Sequence, residues 1–131
     1  MKLEFLADFP DDWGMNKKHI GQLLSESVEK LSKDSDRIVE IGFVTEKDIA
    51  ALNKKYRRID APTDVLSFPE NDISTPDNVL GSIIISLKIV NEKDENLDDV
   101  IKHGLLHLLG YDHEQNQQEW DRTAKLINCG L

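Results

Sequence analysis

Apolar positions along the chain change their period several times, and each change predicts an element. Lys2 to Leu6 reads as a short first strand. From about Asn16 to Leu31, the residues Ile20, Leu23, Leu24, Val28 and Leu31 recur at helical spacing and mark one face of an amphipathic helix. Arg37 to Val44 is rich in β-branched residues and bounded by Ser/Asp and Thr, which predicts a strand. Thr45 followed by Asp48 resembles a capping box and opens a helix carrying Ile49 and Leu52 inward. That helix should end near Arg58, because Pro62 drives Ala61 towards an extended conformation.

Asp64 to Phe68 predicts a short strand closed by Pro69, followed by an acidic, proline-containing loop to about Asn78. Leu80 to Ser86 predicts another strand, and Ser86 to Asn91 a helical turn. A longer helix is expected from about Leu97 to Leu109, and a last one from about Asn116 to Asn128, ended by Gly130. Strands interleaved with helices predict an α/β (α+β) fold, a four-stranded mixed sheet packed with about five helices in two or three layers. No repeat, low-complexity tract or linker divides the chain. Its 131 residues therefore predict a single domain that buries a core without staples.

The helix from Leu97 carries the candidate chemistry. Leu97, Val100, Ile101, Leu105 and Leu108 fall on one arc of about 140°. His103 and His107 lie about 40° apart beside the Val100 edge of that arc, where the helix meets the rest of the fold. Residues four apart share a helix face, so both imidazoles can grip one ion. Gly110 reads as a left-handed helix stop that redirects the chain towards His113. Three neutral imidazoles with an open position form a usual catalytic zinc-type arrangement, so His103, His107 and His113 are the expected ligands of one divalent ion. Zinc is the first choice; nickel, copper or iron also suit three nitrogens. Asp112 either orients an imidazole or caps the last helix. His19, on the first helix, reads as a surface or boundary residue.

The spacing H-x-x-x-H-x-x-G-x-x-H is that of metzincin proteases, but those need Glu directly after the first histidine as general base. Here that position is Gly104, which cannot take a proton. Glycine in a helix interior costs roughly 0.5–1 kcal/mol relative to Ala. Something is therefore expected to approach closely there, either a neighbouring backbone or the substrate.

Composition narrows the setting. The net charge of −9 argues against broad, sequence-independent nucleic-acid binding. One dense positive run, KKYRR, holds Lys54, Lys55, Arg57 and Arg58 around Tyr56. It could equally be a solvated helix end favoured by the C-terminal dipole. The lone Cys129 cannot form an internal disulfide, which suits a reducing, cytoplasmic setting. No apolar run reaches signal-peptide or membrane-spanning length, so no membrane partner is expected.

The run HGLLHLLGYDH from His103 to His113 is similar to the HGxLHLxGYDH signature of the YbeY endoribonucleases. A second match comprises Leu52, Asn53, Tyr56 and Arg57, then PTDVLSFP from Pro62 to Pro69. A weaker one begins at Leu80-Gly81, where the strand Ser82 to Ser86 resembles the family's LGDI-type strand with Ser82 in place of aspartate. The connection from that strand to the histidine helix is shorter than is usual in the family. The first forty residues contribute little to the resemblance.

The resemblance implies a metal-dependent endoribonuclease specific for single-stranded RNA. It would act in maturation of the 3′ end of small-subunit ribosomal RNA and in ribosome quality control, with the ribosome or ribosomal proteins as partners. It implies a zinc-type ion on His103, His107 and His113, and an activity-linked arginine at Arg57. On that basis Arg57 is expected to clamp the scissile phosphate from the far side of the cleft. Lys54, Lys55 and Arg58 would bind the flanking backbone. Tyr56 reads first as a core residue and second as a stacking platform. The competing functions are a metal-dependent hydrolase of another substrate and a metal-stabilised ribosome-binding factor without turnover.

Overall fold

The computed structural model describes residues 2–5, 17–31, 37–69 and 79–130. The acidic loop expected between Pro69 and Asn78 lies almost entirely outside these residues, as do Leu6 and Asn16 at the expected element ends. In chain order the elements are β1 (Lys2–Phe5), α1 (Lys17–Lys30), β2 (Ile38–Phe43), α2 (Glu46–Arg57), β3 (Val65–Pro69), β4 (Val79–Ile85), α3 (Leu87–Glu92), α4 (Leu97–Leu108) and α5 (Gln117–Leu126). The sheet runs β1-β2-β4-β3, with β1–β2 and β2–β4 parallel and β3–β4 antiparallel. Among the described residues this is the α/β composition with a mixed sheet and five helices.

Burial on both faces explains why β4 is a nearly unbroken apolar run. Ile83 and Ile85, with Val39, Ile41 and Val65, face a core completed by Ile20, Leu24 and Val28 of α1 and by Val100, Ile101, Leu105 and Leu108 of α4. Ile84 and Leu66 face the other way, onto Ile49 and Leu52 of α2. Helices therefore cover both sides of the sheet. A smaller cluster of Leu106, Trp120, Ala124 and Ile127 joins α4 to α5.

Local signals account for most of the boundaries. Thr45 caps α2 by accepting the Asp48 amide at 3.1 Å, and Asn116 caps α5 by accepting the Glu119 amide at 3.1 Å. Pro69 is the last residue of β3 and pairs with Gly81, one position beyond the expected end. A proline is tolerated there because β3 is an edge strand. The last helix stops earlier than expected, at Leu126, and Asn128 (φ 56°) makes the left-handed turn assigned to Gly130. Gly130 instead packs on Asp99, to which its amide donates at 3.1 Å.

Candidate metal centre

Helix α4 is held between the sheet and α1, and its position sets the site. The close neighbour inferred at Gly104 is neither backbone nor substrate. A Cβ there would stand 2.8 Å from Ile83 Cγ2 and 3.2 Å from Ser67 Oγ. Ser67 also donates its hydroxyl to the Gly104 carbonyl at 3.2 Å. Glycine thus lets α4 settle on β3 and β4, with His103 and His107 beside the sheet edge. Any side chain at 104 would point into Ile83, so this position could not present a base to an ion.

The end of α4 folds as the sequence suggested. The Gly110 amide donates to the His107 carbonyl at 3.1 Å and the Tyr111 amide to the Leu106 carbonyl at 3.0 Å. With Gly110 at φ 95°, these two bonds form a Schellman turn. The turn carries the chain back so that His113 returns to the helix face. Asp112 does not cap the last helix, and its charge acts on His107, opposing the burial that lowers that imidazole. Its carboxylate accepts the Glu114 amide at 2.8 Å and braces the loop, while Asn116 caps α5.

Nε2 of His103 and Nε2 of His107 lie 3.2 Å apart, and one nitrogen from each of the three histidines falls within 4.8 Å of the others. His103 Nδ1 is buried without a hydrogen-bond partner among the described residues. The facing Nε2 atoms can share one N–H as donor and acceptor, or both can present lone pairs to one cation; a nitrogen of His113 within 4.8 Å of them makes the second arrangement a three-ligand set. The donor set therefore fits a divalent transition ion. Burial, with help from His107 and His113, lowers His103 to about 4 against the opposing charge of Asp64. Burial also lowers His107, and the Arg57 guanidinium contributes in the same direction. Both imidazoles are held neutral, the form that binds metal.

A pH dependence follows. Unfolded His103 takes a proton near the ordinary histidine value of 6.5, whereas folded His103 takes it only near 4, so acid favours the unfolded chain throughout that window. Metal-free protein is expected to lose thermal stability as the pH falls from 6.5 to about 4, more steeply than a His103→Ala variant. Thermal melts in chelator that show equal slopes for the two proteins would contradict this account.

Trp120 of α5 was not singled out in the sequence. Its ring centroid lies 5.0 Å from His103, 5.0 Å from His107 and 5.2 Å from His113, and the residue is 3% exposed. It forms an apolar backing that holds all three imidazoles. The available signal was its place on the inward face of the last helix, four residues before Ala124. Nothing in that pattern says the face meets α4 at the histidines.

The histidines lie in an open cleft of about 740 Å³, whose lining includes Tyr56, Arg57, Asp64, Phe68, Tyr111 and Asp112. Arg57 is thus brought to the site, but Lys54, Lys55 and Arg58 are not among the lining residues. Lys54 lies 3.9 Å from Asp60, and Arg58 adopts a left-handed backbone (φ 60°) that ends α2. Tyr56 is not a core residue. It is 56% exposed, its ring packs edge-on against Phe68 at 5.1 Å, and Lys55 Nζ lies 5.2 Å from its ring centre. At Ser82 the hydroxyl donates to Glu40 Oε1 at 3.0 Å, directly across the β2–β4 register. An aspartate at 82 would face that carboxylate, a repulsive cross-strand pair.

With this geometry in place, comparison with known proteins is decisive. A family profile described as Endoribonuclease YbeY matches residues 11–126. The chain belongs to the endoribonuclease YbeY family. It is 41% identical to Endoribonuclease YbeY of Macrococcus caseolyticus, over 94% of each chain. It is 36% identical to that of Shouchella clausii, over 81% of this chain and 78% of the relative. A solution structure of a Thermotoga maritima protein is similar at a TM-score of 0.55 and 26% identity, covering 95% of this chain and 86% of the other. The YbeY match extends upstream of the motifs, to residue 11. Among the described residues, no helix is long and apolar enough to cross a membrane.

Proposed function

We propose that this chain is a cytoplasmic, metal-dependent endoribonuclease of one domain. It cuts single-stranded RNA in maturation of the 3′ end of small-subunit ribosomal RNA and in ribosome quality control, with the ribosome as its partner. The reading is carried by one observation, the convergence of three imidazoles on a cleft that Arg57 also lines. The YbeY relatives, named as endoribonucleases, support the reaction class.

His103, His107 and His113 would hold one divalent ion, zinc first among the candidates. When bound, such an ion supplies Lewis-acid stabilisation of charge on the phosphoryl oxygens and lowers the pKa of a coordinated water. Trp120 fixes the imidazoles against sideways motion. Arg57 offers a planar fork to the scissile phosphate, where negative charge grows during cleavage. Tyr56 and Phe68 form an aromatic wall beside it, suited to stacking an unpaired base. Lys54, Lys55 and Arg58 would meet the backbone of RNA that runs beyond the cleft.

Two measurements test the reading. Purified protein with its metal content known should cut a single-stranded RNA and leave the same sequence intact in a duplex. Metal-bearing protein that leaves single-stranded RNA whole would point instead to a binding factor. Arg57→Lys keeps the charge but loses the fork, so cleavage should fall roughly tenfold to a hundredfold. An unchanged rate would remove Arg57 from the reaction.

A further inference from the structure

Tyr56 continues the inward stripe of α2 and yet lies outside the core. Ile49, Leu52, Asn53 and Tyr56 recur at i, i+3, i+4 and i+7, one face of the helix. Burial along that face stops abruptly: Ile49 is 0% exposed and Asn53 2%, but Tyr56 is 56% exposed. Its ring is propped by Phe68 of the edge strand β3, at an interplanar angle of 68°. Lys55 Nζ lies over the same ring, 5.2 Å from its centre. Lys55 is itself exposed, so the aromatic face that its ammonium covers is one that a group from solvent can reach.

The surroundings say what belongs on that face. Tyr56 and Phe68 line the cleft together with Arg57, the next residue along the chain. Lys54, Lys55 and Arg58 complete a cationic run around the ring. The occupant must therefore combine a planar group that stacks with negative charge beside it. An unpaired nucleotide has both. The chain as a whole carries a net charge of −9, so long-range attraction for RNA is weak and a stacking contact carries a larger share of binding.

We propose that Tyr56 is the residue that selects single-stranded RNA, its open face taking the base of one nucleotide that flanks the phosphate at Arg57. The inference rests on the ribonuclease reading above and adds where its strand selectivity resides. A base in a duplex is paired and stacked on both faces, so it reaches Tyr56 only after leaving its helix. A base in a single strand gives up only a loose stack. Once on the ring, the base fixes the sugar–phosphate next to it and so places the phosphate between Arg57 and the histidines. Lys55 leaves the face as the base arrives and is then free to meet the adjoining backbone. Every base has a π face, so the subsite tolerates sequence.

Binding by full-length wild type and Tyr56→Ala is compared on three probes. These are a single-stranded RNA, the duplex of the same sequence, and a single strand of the same length whose residues are abasic. Wild type should prefer the base-bearing single strand to the abasic one roughly tenfold or more. Tyr56→Ala should bind those two nearly alike, and its preference for single strand over duplex should shrink by the same factor. Tyr56→Phe keeps the ring and should restore both preferences. In cleavage, one abasic residue beside the cut should lower kcat/KM of the wild type by that factor and leave Tyr56→Ala unaffected, with metal per chain equal in the two. Equal preferences for bases and for single strands in wild type and folded Tyr56→Ala overturn the proposal. Wild-type protein that binds as expected but cuts no RNA sinks the ribonuclease reading and leaves the subsite standing.

Discussion

Replacing His107 with alanine is expected to lower RNA cleavage about a thousandfold while leaving the fold intact, a loss of ~4 kcal/mol of transition-state stabilisation. His107 is one corner of a compact triangle of imidazoles, with ring centroids 4.8 Å from His103 and 5.8 Å from His113. Its removal leaves two imidazoles, too few for a stable site with an open position. The main core contains none of the histidines, so the variant should still unfold cooperatively. One further effect is specific. His107 helps to lower His103, so the His103 pKa should rise from about 4 in the metal-free variant. Metal per chain, cleavage rate and the His103 titration check the three statements separately. Equal cleavage by wild type and His107→Ala would end the catalytic reading of the cluster.

The largest stability effect is expected at Gly81, which is not itself a ligand. A Cβ there would lie 2.5 Å from the Phe68 carbonyl oxygen and 2.7 Å from Leu108 Cδ2, on a backbone with φ of 156°. The first obstacle is main chain in the β3–β4 ladder, which cannot swing aside as a side-chain end can. Gly81→Ala should therefore cost about 3 kcal/mol or more, the upper end of overpacking effects. Leu108 directly follows His107, so any movement that relieves the clash disturbs the metal-binding helix, and cleavage should fall as well. Gly104→Ala should cost less. There the closest obstacle is Ile83 Cγ2, at 2.8 Å, and the gain in helix propensity offsets part of the strain. Denaturant midpoints compare the two variants; a wild-type midpoint for Gly81→Ala would refute the packing account.

Much of this architecture was legible because it depends on local chemistry. The cap at Thr45, the helical arc through Val100, Ile101, Leu105 and Leu108, and the glycine turn at Gly110 each follow from residues a few positions apart. Tyr56 shows where that reasoning stops. Nothing local distinguishes a tyrosine that packs in a core from one exposed beside Phe68, because the contact is made by β3, a different element from the helix that carries Tyr56. Trp120 fails for the same reason: an inward-facing aromatic announces burial but not its neighbours.

By itself the chain determined its element types, the three imidazoles and their common face, since helical spacing and a glycine stop bring His103, His107 and His113 together. It also carried two strong matches and one weaker match to motifs of the YbeY family. Tertiary structure decided which cationic side chain meets the histidines, because α2 and α4 cover opposite faces of the sheet and only their packing brings Arg57 to the cleft.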